Sequence, residues 1–160
     1  MGKEKERILY FDYLRVLGVF TMMMIFFYKV NDSYGYFSNF SHFEFEINGK
    51  KWMTSEHYFQ AQKFVGTEYE EKIRLLDNPM KAAEFGRNRS LPLRTDWEQV
   101  KDDIMRKAVF EKFSQNIDIR DILLSTGKEL IVEKSTNDYY WGCGKDGSWS
   151  LCYAGITRVD

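Results

Sequence analysis

One stretch, TSEHYFQAQKF at residues 54–64, constrains this chain more than any other. About three turns of helix must hold an acid, an imidazole, two amides, a lysine and three aromatic rings. At 3.6 residues per turn, Glu56, Gln60 and Lys63 fall on one stripe, and Tyr58, Ala61 and Val65 form a neighbouring apolar one. One helix then serves both a core and a site. Thr54 or Ser55 acts as the N-cap and places Glu56 in the first turn, where the helix dipole favours a carboxylate. The competing reading is a surface helix carrying a Glu-to-Lys ladder, which spacing alone does not exclude.

At 160 residues the chain is long enough to bury a core as a single domain without staples. Aromatic residues make up 17% of it and charged residues 29%, a balance that excludes disorder. With 23 basic and 24 acidic residues the formal charge is −1, so no global field draws it to nucleic acid or to an anionic membrane. Any anionic ligand must be held locally. Cys143 and Cys152 lie close together in sequence, and the two histidines lack metal-ligand spacing. The expectation is a cytoplasmic protein with free thiols, no metal and no cofactor; a short-range disulfide is the alternative pairing.

The chain opens on a charged MGKEKER. A run of thirteen uncharged residues, VLGVFTMMMIFFY, follows. It is short of the roughly twenty that span a bilayer, so no transmembrane helix and no stable membrane partner are expected. A helix to about Phe20 and a strand over 24–30 are expected instead. Phe43, Phe45 and Ile47 alternate ahead of Asn48-Gly49 and Trp52, the pattern of a hairpin with a type I′ turn. In YGYFSNF, Tyr34, Phe37 and Phe40 stand beside Ser38 and Asn39, either as a wall for a planar ring or as a plug of the core.

A helix is expected over 68–76, ended by Asn78-Pro79. Pro79 starts another, in which Ala82, Ala83 and Gly86 allow close approach. Arg87, Arg89 and Arg94 around Leu91-Pro92-Leu93 form the basic region, suited to phosphate or simply solvated. Asp96 is expected to cap a long core helix bearing Val100, Ile104, Met105, Ala108, Val109 and Phe113. Asp118 is expected to cap a short one closed by Gly127. ELIVE reads as a buried strand, and NDYYWGCGKDG as a glycine-rich turn holding an acid among aromatics. The fold class is therefore α+β: a compact, mostly helical single domain with a small antiparallel β-hairpin.

These pieces supply two carboxylates, Glu56 and Asp138, two cations, Lys63 and Arg87, and three stacking surfaces, Phe37, Trp97 and Trp141. No Ser-His-Asp order, nucleotide-binding glycine loop or metal motif competes with them. Such a set suits a phosphorylated ribosyl compound with a flat base. Cleaving its glycosidic bond needs one group to protonate or hold the leaving nitrogen. A carboxylate must also stabilise an oxocarbenium-like centre or activate water.

The runs YGYFSNF, WMTSEHYFQAQKF, KAAEFGRNRSLPLRTDWEQVKDDIMRKAVFEKFSQN and LLSTGKELIVEKSTNDYYWGCG occur in that order, and the chain resembles the NADAR family, also known as DUF1768. The resemblance implies an N-glycosidase that splits early riboflavin-pathway intermediates, phosphorylated ribosyl amines, into ribose 5-phosphate and a pyrimidine. The alternative it implies is a binding module for ADP-ribose or an NAD derivative, or an ADP-ribosyl-guanine hydrolase whose partner is ADP-ribosylated nucleic acid. The matching site positions are Glu56, Lys63, Trp97, Asp138 and Trp141. Glu56 and Asp138 would share acid/base and oxocarbenium-stabilising work. Lys63 would orient a phosphate or, as a neutral amine, attack the opened ribose aldehyde. Phe37, Ser38, Asn39 and Arg87 would hold ring and phosphate.

The family domain is expected over 24–160, with 1–23 a hydrophobic extension. From about residue 148 the tail SWSLCYAGITRVD departs from the family pattern, with Leu151 where an Asn is expected. The departure implies one altered wall of the site and an impaired enzyme.

Overall fold

The computed structural model describes residues 24–135 and 140–142. Strand β1 (Met24–Phe27) is followed by a 3-10 turn (Gly35–Phe37) and by strands β2 (Phe45–Ile47) and β3 (Lys50–Trp52). Helix α1 (Ser55–Ala61) runs on into a 3-10 turn (Gln62–Phe64). Then come α2 (Glu68–Arg74), α3 (Pro79–Gly86), α4 (Trp97–Gln115), α5 (Ile117–Ser125) and strand β4 (Leu130–Glu133). The expected helix to about Phe20 and Asp138 in the glycine-rich turn lie outside the described residues. Among the described residues no helix is long and apolar enough to cross a membrane.

The β2–β3 hairpin is antiparallel, with Phe45 opposite Trp52. Asn48 and Gly49 both take positive φ, 54° and 74°, as a type I′ turn requires. The second strand pair is parallel: β1 runs alongside β4 with Ile25 opposite Ile131. Alternation along the sequence gives the two strands but not this pairing, because a parallel partner lies a whole helical domain away. β1 also ends at Phe27, not at Val30 as expected. The backbone turns there, with Asp32 N–H bonded to the Lys29 carbonyl at 3.0 Å.

All seven residues of α1 are buried, which rules out the surface-ladder reading. The helix packs against α2, α3, α4 and β3, and Tyr58 meets Trp52 edge to face at 5.0 Å. The apolar stripe holds for Tyr58 and Ala61 but fails at Val65, which is 43% exposed because the chain leaves the helix after Phe64. Phe64, at 2% exposure, contributes about 1.5–3 kcal/mol of transfer free energy.

Two expected caps are corrected. Asp96 does hold the N-cap position of α4, but its carboxylate takes a two-pronged bond from the Arg94 guanidinium, at 2.6 and 2.8 Å, and makes no capping bond. Asp118 sits within the first turn of α5, whose N-cap position is Asn116. The Asn116 amide donates instead to the carbonyls of Glu44 and Lys112.

Thr54 does cap α1. Its hydroxyl oxygen accepts from the His57 backbone N–H at 3.3 Å and lies 2.8 Å from His57 Nδ1. Nε2 of the same ring is 3.1 Å from the Leu76 carbonyl, which can only accept. Nε2 therefore carries the proton, and Nδ1 accepts the Thr54 hydroxyl hydrogen, so the ring is neutral. Burial lowers the His57 pKa below 6.5, more than the Leu76 carbonyl raises it. The unfolded chain then binds the extra proton first. Stability from this residue is complete above pH 6.5 and declines as pH falls below it. The urea midpoint is expected to fall between about pH 7.5 and about pH 5.5, with a His57 contribution of at most about 1.4 kcal/mol per pH unit, and His57→Gln should flatten that slope.

Candidate active site

The polar stripe of α1 ends at a cavity. Glu56 and Gln60 are one turn apart, and the Gln60 amide Nε2 donates to Glu56 Oε1 at 2.7 Å. This orients Gln60 so that its own Oε1 is buried without a hydrogen-bond partner among the described residues. Oε1 faces Gly86 at the end of α3, where an added Cβ would collide with it and lie 2.7 Å from the amide carbon. Only glycine leaves room for the Gln60 side chain in this position.

The 3-10 turn after α1 carries Lys63 to the same place. Its Nζ donates to the Gly86 carbonyl at 3.0 Å and stands 5.6 Å from the Phe59 ring centre and 5.4 Å from that of Trp97. Phe59 and Lys63 are four residues apart, so one helical turn sets the ring beneath the amine. Burial lowers the Lys63 pKa to about 8. Glu56 and Glu98 oppose this shift, while Arg87 and Arg89 add to it. The amine is thus within reach of its neutral form near physiological pH.

Lys63, Gly86, Arg87, Arg89, Trp97 and Glu98 line a cavity of about 310 Å³, near the lower bound for small-molecule sites, about 300 Å³. Of the expected residues, Lys63, Arg87 and Trp97 meet here. Arg94 does not join them, because its guanidinium is held by Asp96. Trp141 reaches the same aromatic cluster from the other end of the chain, edge-on to Phe59 at 5.8 Å, while Phe59 meets Trp97 at 5.0 Å. The adjacent Tyr140 hydroxyl donates to Asp102 on α4 at 2.7 Å, which anchors the segment.

The loop residues divide. The Asn39 backbone carbonyl accepts from the Glu56 N–H at 3.0 Å, so this residue does touch the polar stripe. Ser38 is buried and serves its own turn, its hydroxyl accepting from the Phe40 N–H at 3.2 Å. Phe37 is a correction: at 4% exposure it packs against Phe27 and Phe113 and belongs to the core, not to the cavity wall. Asp138 lies outside the described residues. Sequence reasoning placed Gln60 on the polar stripe without giving it a role and missed Phe59, although Phe59 shares the helical spacing of Glu56 and Lys63. Among the described residues no cluster of His, Cys, Asp and Glu could hold a metal ion.

A small α+β domain whose central buried helix carries a carboxylate and runs on into a desolvated lysine at an arginine-rimmed cavity defines a class of small-molecule site. The sequence profile of the NADAR domain matches residues 26–152, and the chain belongs to that family. It is 50% identical over 133 residues to the N-glycosidase YbiA of Shigella boydii, covering 83% of each chain. The solution structure of YbiA from Escherichia coli superposes with a TM-score of 0.74 at 50% identity, over 81% of this chain and 77% of that one. The chloroplastic riboflavin biosynthesis protein PYRR of Zea mays is 41% identical across 82% of this chain, which spans 23% of the maize protein.

Gly86→Ala tests the close approach. In an unobstructed helix the change stabilises by about 0.5–1 kcal/mol, whereas overpacking costs about 1–3 kcal/mol. A loss of stability in urea unfolding is expected, with Gln60 displaced from Glu56.

Proposed function

We propose that this chain is an N-glycosidase that hydrolyses the C–N bond of phosphorylated ribosyl amines, releasing ribose 5-phosphate and a pyrimidine. The observation that carries this reading is the placing of Glu56 on the buried helix and Lys63 in the turn that continues it, with Lys63 lining one cavity with Arg87 and Arg89. The relatives named N-glycosidase YbiA support the reaction class, and the maize riboflavin biosynthesis protein supports the substrate class. The two arginines supply guanidinium forks for the phosphate. Trp97 and Trp141 offer rings for the base.

In the proposed reaction the bond between ribose C1′ and the base nitrogen breaks, its electron pair leaving with the nitrogen. That nitrogen takes a proton, and a water oxygen bonds to C1′ as its own proton passes to a carboxylate. Glu56 either stabilises the positive charge developing at C1′ or activates the water, and Asp138 is proposed as the second carboxylate. Lys63 has two possible parts. As an ammonium it holds the phosphate. As a neutral amine it adds to C1′ of the ring-opened sugar, where the base nitrogen is held as an imine. The base leaves with a proton on its nitrogen, and water then hydrolyses the lysine imine to the free aldehyde and the amine.

The pKa of about 8 separates these parts by sign. A nucleophilic Lys63 makes kcat rise as pH passes through 8, while a phosphate-holding Lys63 makes KM rise there instead. The paired Arg87 and Arg89 also match a pyrophosphate, which keeps an ADP-ribosyl compound as the second reading. The proposed setting is the cytoplasm, on the reading of Cys143 and Cys152 as free thiols.

The test is release of ribose 5-phosphate from the ribosylaminopyrimidine phosphate, run beside Glu56→Gln. Turnover by the wild type that falls by about 100-fold or more in Glu56→Gln is the expected result. Unchanged turnover would remove Glu56 from the mechanism. Release only from an ADP-ribosylated substrate would select the second reading.

A further inference from the structure

The most deeply buried charge in the described residues is not in the cavity. Lys112 on α4 is 0% exposed, and among the described residues no carboxylate pairs with it. Its Nζ donates to the Tyr36 carbonyl at 2.6 Å, to the Ser38 carbonyl at 2.9 Å and to Ser41 Oγ at 2.7 Å. The Ser41 hydroxyl in turn donates to the Ser38 carbonyl at 2.6 Å. Three acceptors for three protons is the complement of an ammonium, not of a neutral amine. The rings of Phe43 and Phe113, at 5.6 and 5.2 Å, face the same cation.

All three acceptors belong to one turn, residues 36–41. That turn has one further backbone bond that reaches the site: the Asn39 carbonyl receives the Glu56 N–H at 3.0 Å. Glu56 lies in the first turn of α1, where backbone N–H groups have no partner inside the helix. Asn39 therefore supplies the bond that the helix cannot. A buried ammonium is costly to desolvate, and an apolar side chain of the same length would fill the space without that cost. What the apolar chain could not do is gather two carbonyls and a hydroxyl to one point.

We propose that Lys112 is a positioning residue for the site. Its ammonium fixes the turn at residues 36–41, and through the Asn39 carbonyl this turn sets the first helical turn of α1 and the placement of Glu56. The catalytic consequence rests on the N-glycosidase reading; the positioning itself does not.

The experiment follows the Glu56 amide directly, by hydrogen exchange of the full chain in wild type, Lys112→Met and Ser41→Ala. Protection of the Glu56 amide is expected to drop at least tenfold in Lys112→Met relative to that of Val109 on α4, which is well inside its helix. Ser41→Ala keeps the charge and removes one acceptor. It should produce a smaller loss at the same amide, and it decides the matter if Lys112→Met does not fold. Equal loss at Glu56 and Val109 would mean general destabilisation and would overturn the proposal, as would no loss at Glu56 in a folded variant. Release of ribose 5-phosphate is read in parallel: kcat should fall in Lys112→Met with KM changed little, since neither the arginines nor the tryptophans move. If the wild type releases no ribose 5-phosphate, the functional reading fails while the exchange data still decide the role of Lys112.

Discussion

A helix buried on every side has to satisfy most of its polar groups from neighbouring elements, and α1 imposes that demand on the rest of the molecule. Its neighbours are arranged as answers to it. Thr54 and the Leu76 carbonyl take the two nitrogens of His57, so the loop after α2 is fixed by an imidazole on α1. Asn39 takes the Glu56 N–H, which ties the aromatic loop to the helix start. Gln60 takes one oxygen of Glu56 and in return requires a glycine on α3. The hydrophobic residues of α1 hold the domain together, but its polar ones dictate which surfaces come together and in what register.

The two desolvated lysines show how the same physical cost is met in two ways. Burial lowers the pKa of both, Lys63 to about 8 and Lys112 to about 7. Lys112 is enclosed, and three acceptors at 2.6–2.9 Å use all its protons, so its geometry holds the charged form against desolvation. Lys63 makes one described hydrogen bond, to the Gly86 carbonyl, and otherwise faces aromatic rings and the cavity. An ammonium with protons to spare can still bind an anion, and one that is easily deprotonated can still act as a nucleophile. Lys112 has neither freedom. Spacing along the sequence could not separate them, since each is a lysine on a helix flanked by phenylalanine.

Periodicity made the local elements legible. The hairpin at Asn48-Gly49, the helix starting at Pro79 and the dual character of residues 54–64 all follow from patterns contained within a dozen residues. The features that depended on distant partners were not legible. The β1–β4 pair needed the far end of the chain, and Asp96 lost its capping role to a nearby Arg94 that satisfies it better. Phe37 illustrates the remaining ambiguity: an aromatic loop suits a ligand wall and a core plug equally, and only the presence of Phe27 and Phe113 on either side decides for the core. The site residues were named by type and motif, but their convergence on Gly86 was set by how α1 and α3 cross.

That crossing explains why the cavity lies where it does. Gly86 gives up its side chain to admit Gln60, and its carbonyl, at the end of α3, becomes the acceptor for Lys63. The backbone beyond it carries Arg87 and Arg89 to the rim. A helix C-terminus has carbonyls without partners inside the helix and a negative dipole end, and both favour a cation there. The same end is unfavourable for a phosphate, so an anion in this cavity depends on the side chains of Lys63, Arg87 and Arg89 to outweigh the local backbone. Burial is the main cause of the lowered Lys63 pKa and the charges of Arg87 and Arg89 add to it, so an anion placed among the three would offset that added repulsion.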